Sequence, residues 1–308
     1  MKCVFTLDVG GTTIKCGKFS LEGDLVDYFE TRTNVDDNDS VGSLLNQIKE
    51  IINNIKTNDE LEYLGLAVPG PVKDGIVLGC ENIKWGEVEL KKILENEYPN
   101  IKIAVLNDAN AATLGEWYFG SGEKVNNLVM VTIGTGIGGG IIINKELYTG
   151  SNGSAGEIGH IRIFPFKGRP CKCGLTGCLE QYASATGIRR TAYGLRRGKH
   201  TLLNRYGRIS IRDITQACIE QDKIALQVMD KTAYYLAIGL SILAATFNPD
   251  VIVIGGGVSK AGSVLLDPTL KHFKELAFYT IKDTKIVLAS LYNKAGIYGA
   301  YYYALNGE

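Results

Sequence analysis

The 308-residue chain has no net charge to offer a polyanion, since 33 Lys and Arg balance 33 Asp and Glu. Nucleic acid and anionic membrane both need a basic surface, so neither is expected as the main partner. No apolar run reaches the ~20 residues of a membrane span. The longest, 233–247, reads as a buried core helix. The first ten residues read as a strand and lack the basic start and apolar run of a secretory signal. There is no GxxxxGK followed by Ser or Thr, so no P-loop is expected. A disulfide framework is missing too: the seven cysteines are an odd number, and Cys3, Cys16, Cys80 and Cys218 stand isolated. That usage fits a reduced, cytoplasmic protein with one metal site. No low-complexity linker interrupts the chain.

What is present is a hydrophobic fraction of 45% and a charged fraction of 21%, enough for a sizeable core in one large domain or two ordinary ones. Patterning predicts strands over 4–7, 14–19, 61–68, 101–106, 128–133, 141–143 and 251–254. It predicts helices over 44–55, 88–94, 109–119, 211–219, 223–247 and 295–305. Residues 150–180 are loop-rich. A strand, a small polar turn and a strand occur twice, at 5–11 and 131–137. This weak repeat predicts two related α/β lobes with a cleft between them.

Three glycine-bearing turns follow apolar strands directly: Asp8-Val9-Gly10-Gly11-Thr12-Thr13, the run from Gly134 to Gly140, and Gly255-Gly256-Gly257. A phosphate chain needs backbone N–H donors at close range, where side chains would obstruct it. Any one of these turns alone reads better as a tight turn without a ligand. Three together, with the acidic Asp8 in the first, predict a nucleotide site. Gly134, Gly136 and Gly139 also satisfy GxGxxG, but a dinucleotide turn opens a helix, and here the strand-like Ile141-Ile142-Ile143 follows.

Asp108 follows the strand at 101–106 and precedes a helix. Two readings stay open for it from the residues alone. It is a helix N-cap, or it is the carboxylate that accepts a hydroxyl proton during phosphoryl transfer, with Asn107 recognising hydroxyls. His160, Cys171, Cys173 and Cys178 have the spacing H-x10-C-x-C-x4-C, a Cys3His set suited to tetrahedral zinc. Buried free thiols are the alternative. Four protein ligands close the sphere, so such a zinc is structural. It would pin the loop carrying Glu157, His160 and Glu180, whose planar acceptors and donors suit sugar hydroxyls. Solvated surface carboxylates are the other reading of both glutamates.

With these residues named, the whole chain resembles the ROK family of sugar kinases, related to bacterial glucokinases. Asp8-Val9-Gly10-Gly11-Thr12 is similar to the family's first phosphate motif, and Ile133 to Gly139 to its second. Gly255-Gly256-Gly257-Val258-Ser259 is similar to its adenosine segment. Glu157-Ile158-Gly159-His160 and the run from Cys171 to Glu180 resemble its sugar and zinc motifs, which are highly specific. The resemblance implies a two-lobed, actin-like (ribonuclease H-like) α/β ATPase fold with an interlobe cleft. It implies a smaller lobe over 1–117, with helix 295–308 packing back on it. A larger lobe over 118–294 carries the zinc loop and a dimerisation surface. It implies ATP, magnesium and structural zinc, and transfer to the 6-hydroxyl of a free hexose, glucose first. N-acetylmannosamine, N-acetylglucosamine or fructose are alternative substrates.

By resemblance Asp108 is the general base, and Gly70, Asn82, Asn107, Glu157, His160 and Glu180 line the sugar site. Asp8, Gly10, Gly11, Thr12, Thr13, Lys15, Gly134, Thr135, Gly136, Gly138, Gly255, Gly256 and Gly257 serve the nucleotide. The Asn82 segment lacks the Pro often found there, and Lys294 stands where many relatives carry Asp. A homodimer or homotetramer is implied. The family also includes sugar-responsive repressors with a helix-turn-helix ahead of the kinase-like part. Asp8 comes only seven residues after Met1, which leaves no room for one. The thiol cluster argues against an actin-like filament or chaperone.

Overall fold

The computed structural model describes residues 2–36, 38–56, 60–80 and 83–307. The chain folds as two compact units. One comprises Met1–Glu123, Leu147–Ala155 and Asn293–Glu308, the other Lys124–Glu146 and Gly156–Tyr292. The first unit thus runs past residue 117 and takes a further piece from the middle of the chain.

Unit one is built from β1 (Lys2–Val9), β2 (Thr13–Phe19), β3 (Leu25–Arg32), α1 (Ser40–Lys56), β4 (Glu60–Val68), β5 (Val72–Lys73), β6 (Ile76–Val77), α2 (Leu90–Glu97), β7 (Lys102–Asn107) and α3 (Asp108–Phe119). Its sheet has the order β3-β2-β1-β4-β7. β1, β2 and β3 pair antiparallel, while β1, β4 and β7 pair parallel. After its first residue β1 is buried throughout, as a strand covered on both faces must be.

Unit two contains β8 (Leu128–Ile133), β9 (Ile137–Ile143), the first residue of β10 (Glu146–Leu147), α4 (Glu180–Ala183), α5 (Ala185–Leu195), α6 (Ile211–Ile219), α7 (Lys223–Phe247), β11 (Val251–Gly255), α8 (Ser263–Leu276) and β12 (Lys285–Leu288). The chain then returns to unit one as α9 (Ala295–Asn306). The second sheet has the order β10-β9-β8-β11-β12. β8 pairs antiparallel with β9 and parallel with β11, which pairs parallel with β12. Both sheets therefore run third strand, second, first, fourth, fifth. The repeat visible in two short stretches of sequence is a repeat of the whole sheet.

α7 forms where its ends demand it. Asp222 caps the first turn by accepting from the amides of Ile224 and Ala225, and Asn248 closes the last in a left-handed conformation with Pro249 behind it. Its 25 residues are long and apolar enough to cross a membrane, but Met229, Leu236, Leu240 and Ala244 lie buried in the core of unit two.

Patterning leaves β3, α5, α8 and β12 unassigned. β3 is nowhere fully buried, so it lacks a hydrophobic alternation to read. α8 carries Pro268 inside the helix, which reads as a break. β9 starts at Ile137 rather than 141, so Gly138 is a strand residue opposite Thr132. Thr13 and Lys15 likewise belong to β2.

In unit one α9 packs against α3 through glycines on both helices. A Cβ on Gly115 would collide with the Ala295 carbonyl, and one on Gly299 with the Ala111 carbonyl. Gly299→Ala is expected to cost about 3 kcal/mol by forcing the helices apart. Urea unfolding checks this, and an unchanged midpoint would mean that α9 shifts freely.

Candidate active site

Asp8 sits at the carboxyl end of β1, only 9% exposed. The β1–β2 register puts it opposite Lys15, whose Nζ donates to Asp8 Oδ2 at 2.8 Å. The ammonium offsets the cost of burying the carboxylate. Gly296 brings the first turn of α9 against the same group, since a Cβ there would stand 2.7 Å from Oδ2. That places the positive end of a helix beside a negative charge. The hairpin turn is fixed by Gly10 N donating to Thr13 O at 3.0 Å and Thr33 Oγ1 donating to Gly10 O at 2.6 Å. Gly11 and Thr12 are left exposed at the tip.

At the end of β7, Asn107 is the cap of α3. Its Oδ1 accepts from Ala109 N at 2.9 Å and Asn110 N at 3.1 Å. Capping therefore belongs to Asn107, and Asp108 is the first residue of the helix, half-buried in its electropositive first turn. Asn107 Nδ2 donates to Asp108 Oδ1 at 3.1 Å and to Gly70 O at 2.9 Å, and Ala109 N donates to Asp108 Oδ1 at 2.8 Å. Four internal bonds occupy the whole Asn107 amide. It orients the Asp108 carboxylate and ties down the loop at Gly70. Gly70 has φ +93°, and a Cβ there would collide with Gly79 O. Asn82, the remaining sugar-site residue expected in this unit, lies outside the described residues.

In unit two the turn after β8 spans Gly134, Thr135 and Gly136. Gly134 N donates to Gly136 O at 2.9 Å, and Ile137 N donates to Glu180 Oε2 at 3.0 Å. The other side of the turn is braced by Ala185 N donating to Gly134 O at 2.9 Å and Thr186 Oγ1 to Thr135 O at 3.0 Å. Gly256 (φ +82°) passes so close to Ile133, the residue before the turn, that a Cβ would clash with its backbone. The second and third glycine turns are thus neighbours, while Gly255 ends β11 and a Cβ on Gly257 would meet open space.

Glu157 is exposed and leads into a single 3-10 turn, Ile158–His160. His160 Nδ1 lies 3.7 Å from Cys171 Sγ, which leaves Nε2 for a second partner. Cys173 Sγ and Cys178 Sγ are also 3.7 Å apart, and all four ligand atoms lie within 4.8 Å of one another. Ligands at about 2.3 Å from one zinc stand about 3.8 Å apart along a tetrahedral edge, so the donor set fits that ion in both type and size. Without a cation the thiols are ill matched. Burial, with help from the neighbouring Cys171 and Cys173, pushes Cys178 up to about 12, whereas the Leu175 amide draws Cys173 down.

Sequence reasoning missed three supporting residues. Arg169 donates to Gln181 O at 2.8 Å, Gly187 O at 3.1 Å and Thr191 Oγ1 at 2.9 Å, and lies over the Tyr182 ring. Gln181 Nε2 reaches Cys171 Sγ at 3.6 Å, and Thr186 holds the turn after β8. None of the three sits in a pattern that spacing could reveal.

The sequence model of the ROK family matches residues 4–306. A glucokinase of Halalkalibacterium halodurans is 41% identical over 307 residues, covering 95% of this chain and 92% of that protein. The crystal structure of a ROK family glucokinase from Streptomyces griseus in complex with glucose and AMPPNP is similar at TM-score 0.84 and 33% identity, over 99% of this chain and 100% of that one. A ROK family transcriptional regulator, a homologue of the E. coli MLC protein, is similar at TM-score 0.88 and 28% identity, over 97% of this chain and 77% of its own. The α/β fold is the two-lobed, actin-like ATPase fold that the sequence leads one to expect. The chain belongs to the ROK family.

Proposed function

We propose that the protein is an ATP-dependent hexokinase-type kinase that phosphorylates the 6-hydroxyl of glucose. The observation that carries this reading is the Asp108 carboxylate, relieved of capping and held by Asn107 in the first turn of α3. A carboxylate so placed accepts the proton of an attacking hydroxyl. Glucokinases similar to this chain over nearly its full length support the choice of sugar.

The roles follow from the chemistry of each group. Asp108 takes the proton from the 6-hydroxyl. Asn107 positions Asp108, and Glu157, Glu180 and His160 Nε2 bind the remaining hydroxyls. The amides of Thr135, Gly136 and Ile137 and the hairpin at Gly10 to Thr12 hold the donor's phosphates. Gly255 to Gly257 border the adenosine. Magnesium, brought with ATP and oriented by Asp8, supplies charge neutralisation on the phosphates. His160 Nδ1, Cys171, Cys173 and Cys178 hold a structural zinc that fixes the loop. The buried cysteines Cys3, Cys16, Cys80 and Cys218, none in a disulfide, support placement in the cytoplasm.

ADP release from MgATP, measured against glucose, mannose, fructose, allose, N-acetylglucosamine and N-acetylmannosamine, tests the reading. Glucose is expected to give the highest kcat/KM. A preference for an N-acetylhexosamine would move the substrate, and silence across the panel from folded, zinc-loaded protein would overturn the kinase assignment.

A further inference from the structure

The turn after β8 presents three consecutive amides, those of Thr135, Gly136 and Ile137. Among the described residues the first two donate to nothing, while the third donates to Glu180 Oε2 at 3.0 Å. Successive amides of this kind form an anion-binding concavity. Glu180 thus places a carboxylate oxygen where a phosphate oxygen would otherwise sit. The fit is close: a Cβ on Gly136 would collide with the same Oε2, so glycine at 136 admits the carboxylate. Glu180 also opens α4, directly after the thiol loop. Its other oxygen, Oε1, has one weak neighbour, Gln181 Nε2 at 3.5 Å.

We infer that Glu180 is a positioning residue that plugs the donor-phosphate turn in the sugar-free protein and withdraws when a sugar hydroxyl engages its carboxylate. The inference rests on the proposed kinase reading, in which the turn holds the donor and Glu180 holds the sugar. With the plug in place, one of three phosphate donors is occupied and a negative charge faces the incoming phosphates. Binding of the sugar reorients the carboxylate, frees the Ile137 amide and removes the repulsion. Sugar and nucleotide then bind with positive coupling, and by linkage each tightens the other by the same factor. The coupling is a consequence of one side chain being shared between two sites.

The test is equilibrium binding of AMPPNP with magnesium, by calorimetry, with and without saturating glucose. For the wild-type protein glucose is expected to tighten AMPPNP about tenfold. Glu180→Gln keeps the shape but removes the charge. It is expected to bind AMPPNP about tenfold more tightly than the wild type without sugar, and to lose most of the response to glucose. Glu180→Ala, which also removes the acceptor, should behave the same way. Hydrogen exchange supplies a second readout: the Ile137 amide should exchange faster once glucose is added. A residue that only bound sugar would leave the sugar-free nucleotide affinity of both variants at the wild-type value, and that result overturns the inference. So does wild-type protein that binds glucose and AMPPNP independently, which would leave the kinase reading standing. Failure to bind either ligand removes the kinase reading and the inference with it.

Discussion

Asp108→Asn is expected to lower the turnover of glucose by about 10³–10⁴-fold, toward the upper end for loss of a general base, while leaving the glucose Kd within about threefold. The asparagine oxygen still accepts from Ala109 N and from Asn107 Nδ2, the two bonds that hold Asp108 Oδ1. The helix cap is untouched, because Asn107 provides it. What disappears is the negative charge, and with it the capacity to take a proton. Initial rates in a coupled ADP assay give kcat, and calorimetric titration with glucose gives the Kd. If the variant keeps more than about a tenth of wild-type turnover, a factor outside the range of general-base loss, Asp108 is not the base. If glucose binding falls in parallel with turnover, the carboxylate holds substrate rather than moving its proton.

Removal of the proposed zinc is the second large effect. Cys178→Ala, or stripping with a strong chelator, is expected to lower the Tm by about 10 °C and to weaken glucose binding by about 10–100-fold. Cys178 is fully buried, and burial together with its thiol neighbours pushes it up to about 12, so a thiolate there needs a cation beside it. Without one the cluster is a set of crowded sulfurs, and the segment bearing Glu157, His160 and Glu180 loses its anchor. Differential scanning calorimetry with metal analysis before and after chelation checks the prediction. Re-adding zinc should restore both properties to the chelated wild type but not to the variant. A chelated protein that melts and binds glucose as before would make the cluster incidental to the sugar site.

Much of the thiol cluster was legible because its ligands lie close in sequence. His160, Cys171, Cys173 and Cys178 span a single loop, and their spacing alone constrains how they meet. The glycine turns were legible for the same reason, since a small polar turn behind an apolar strand is a local signal. α7 announced both ends through Asp222 and Asn248-Pro249. The boundary at β9 was misplaced because Gly138, Gly139 and Gly140 look like turn, although cross-strand pairing to Thr132, Val131 and Met130 makes them strand. The exposed β3 and the proline-bearing α8 gave no pattern strong enough to read.

The chain's own order of residues thus determined which groups are available: the acidic and glycine turns, the Cys3His set, a carboxylate at a strand end, and two copies of one hairpin plan. Only the tertiary structure decided how they are used. Whether Asp108 or Asn107 caps α3 depended on which of two adjacent side chains turns toward the helix amides. The bond from Ile137 to Glu180 joins residues 43 apart, and that from Thr186 to Thr135 joins residues 51 apart. The fit of α9 on α3 depends on Gly299 meeting Ala111 from the far end of the chain. Propensity and spacing act over a turn or two of chain, whereas hydrogen bonds and close packing act between whatever the fold brings together, and the working geometry of this protein lies in the second kind.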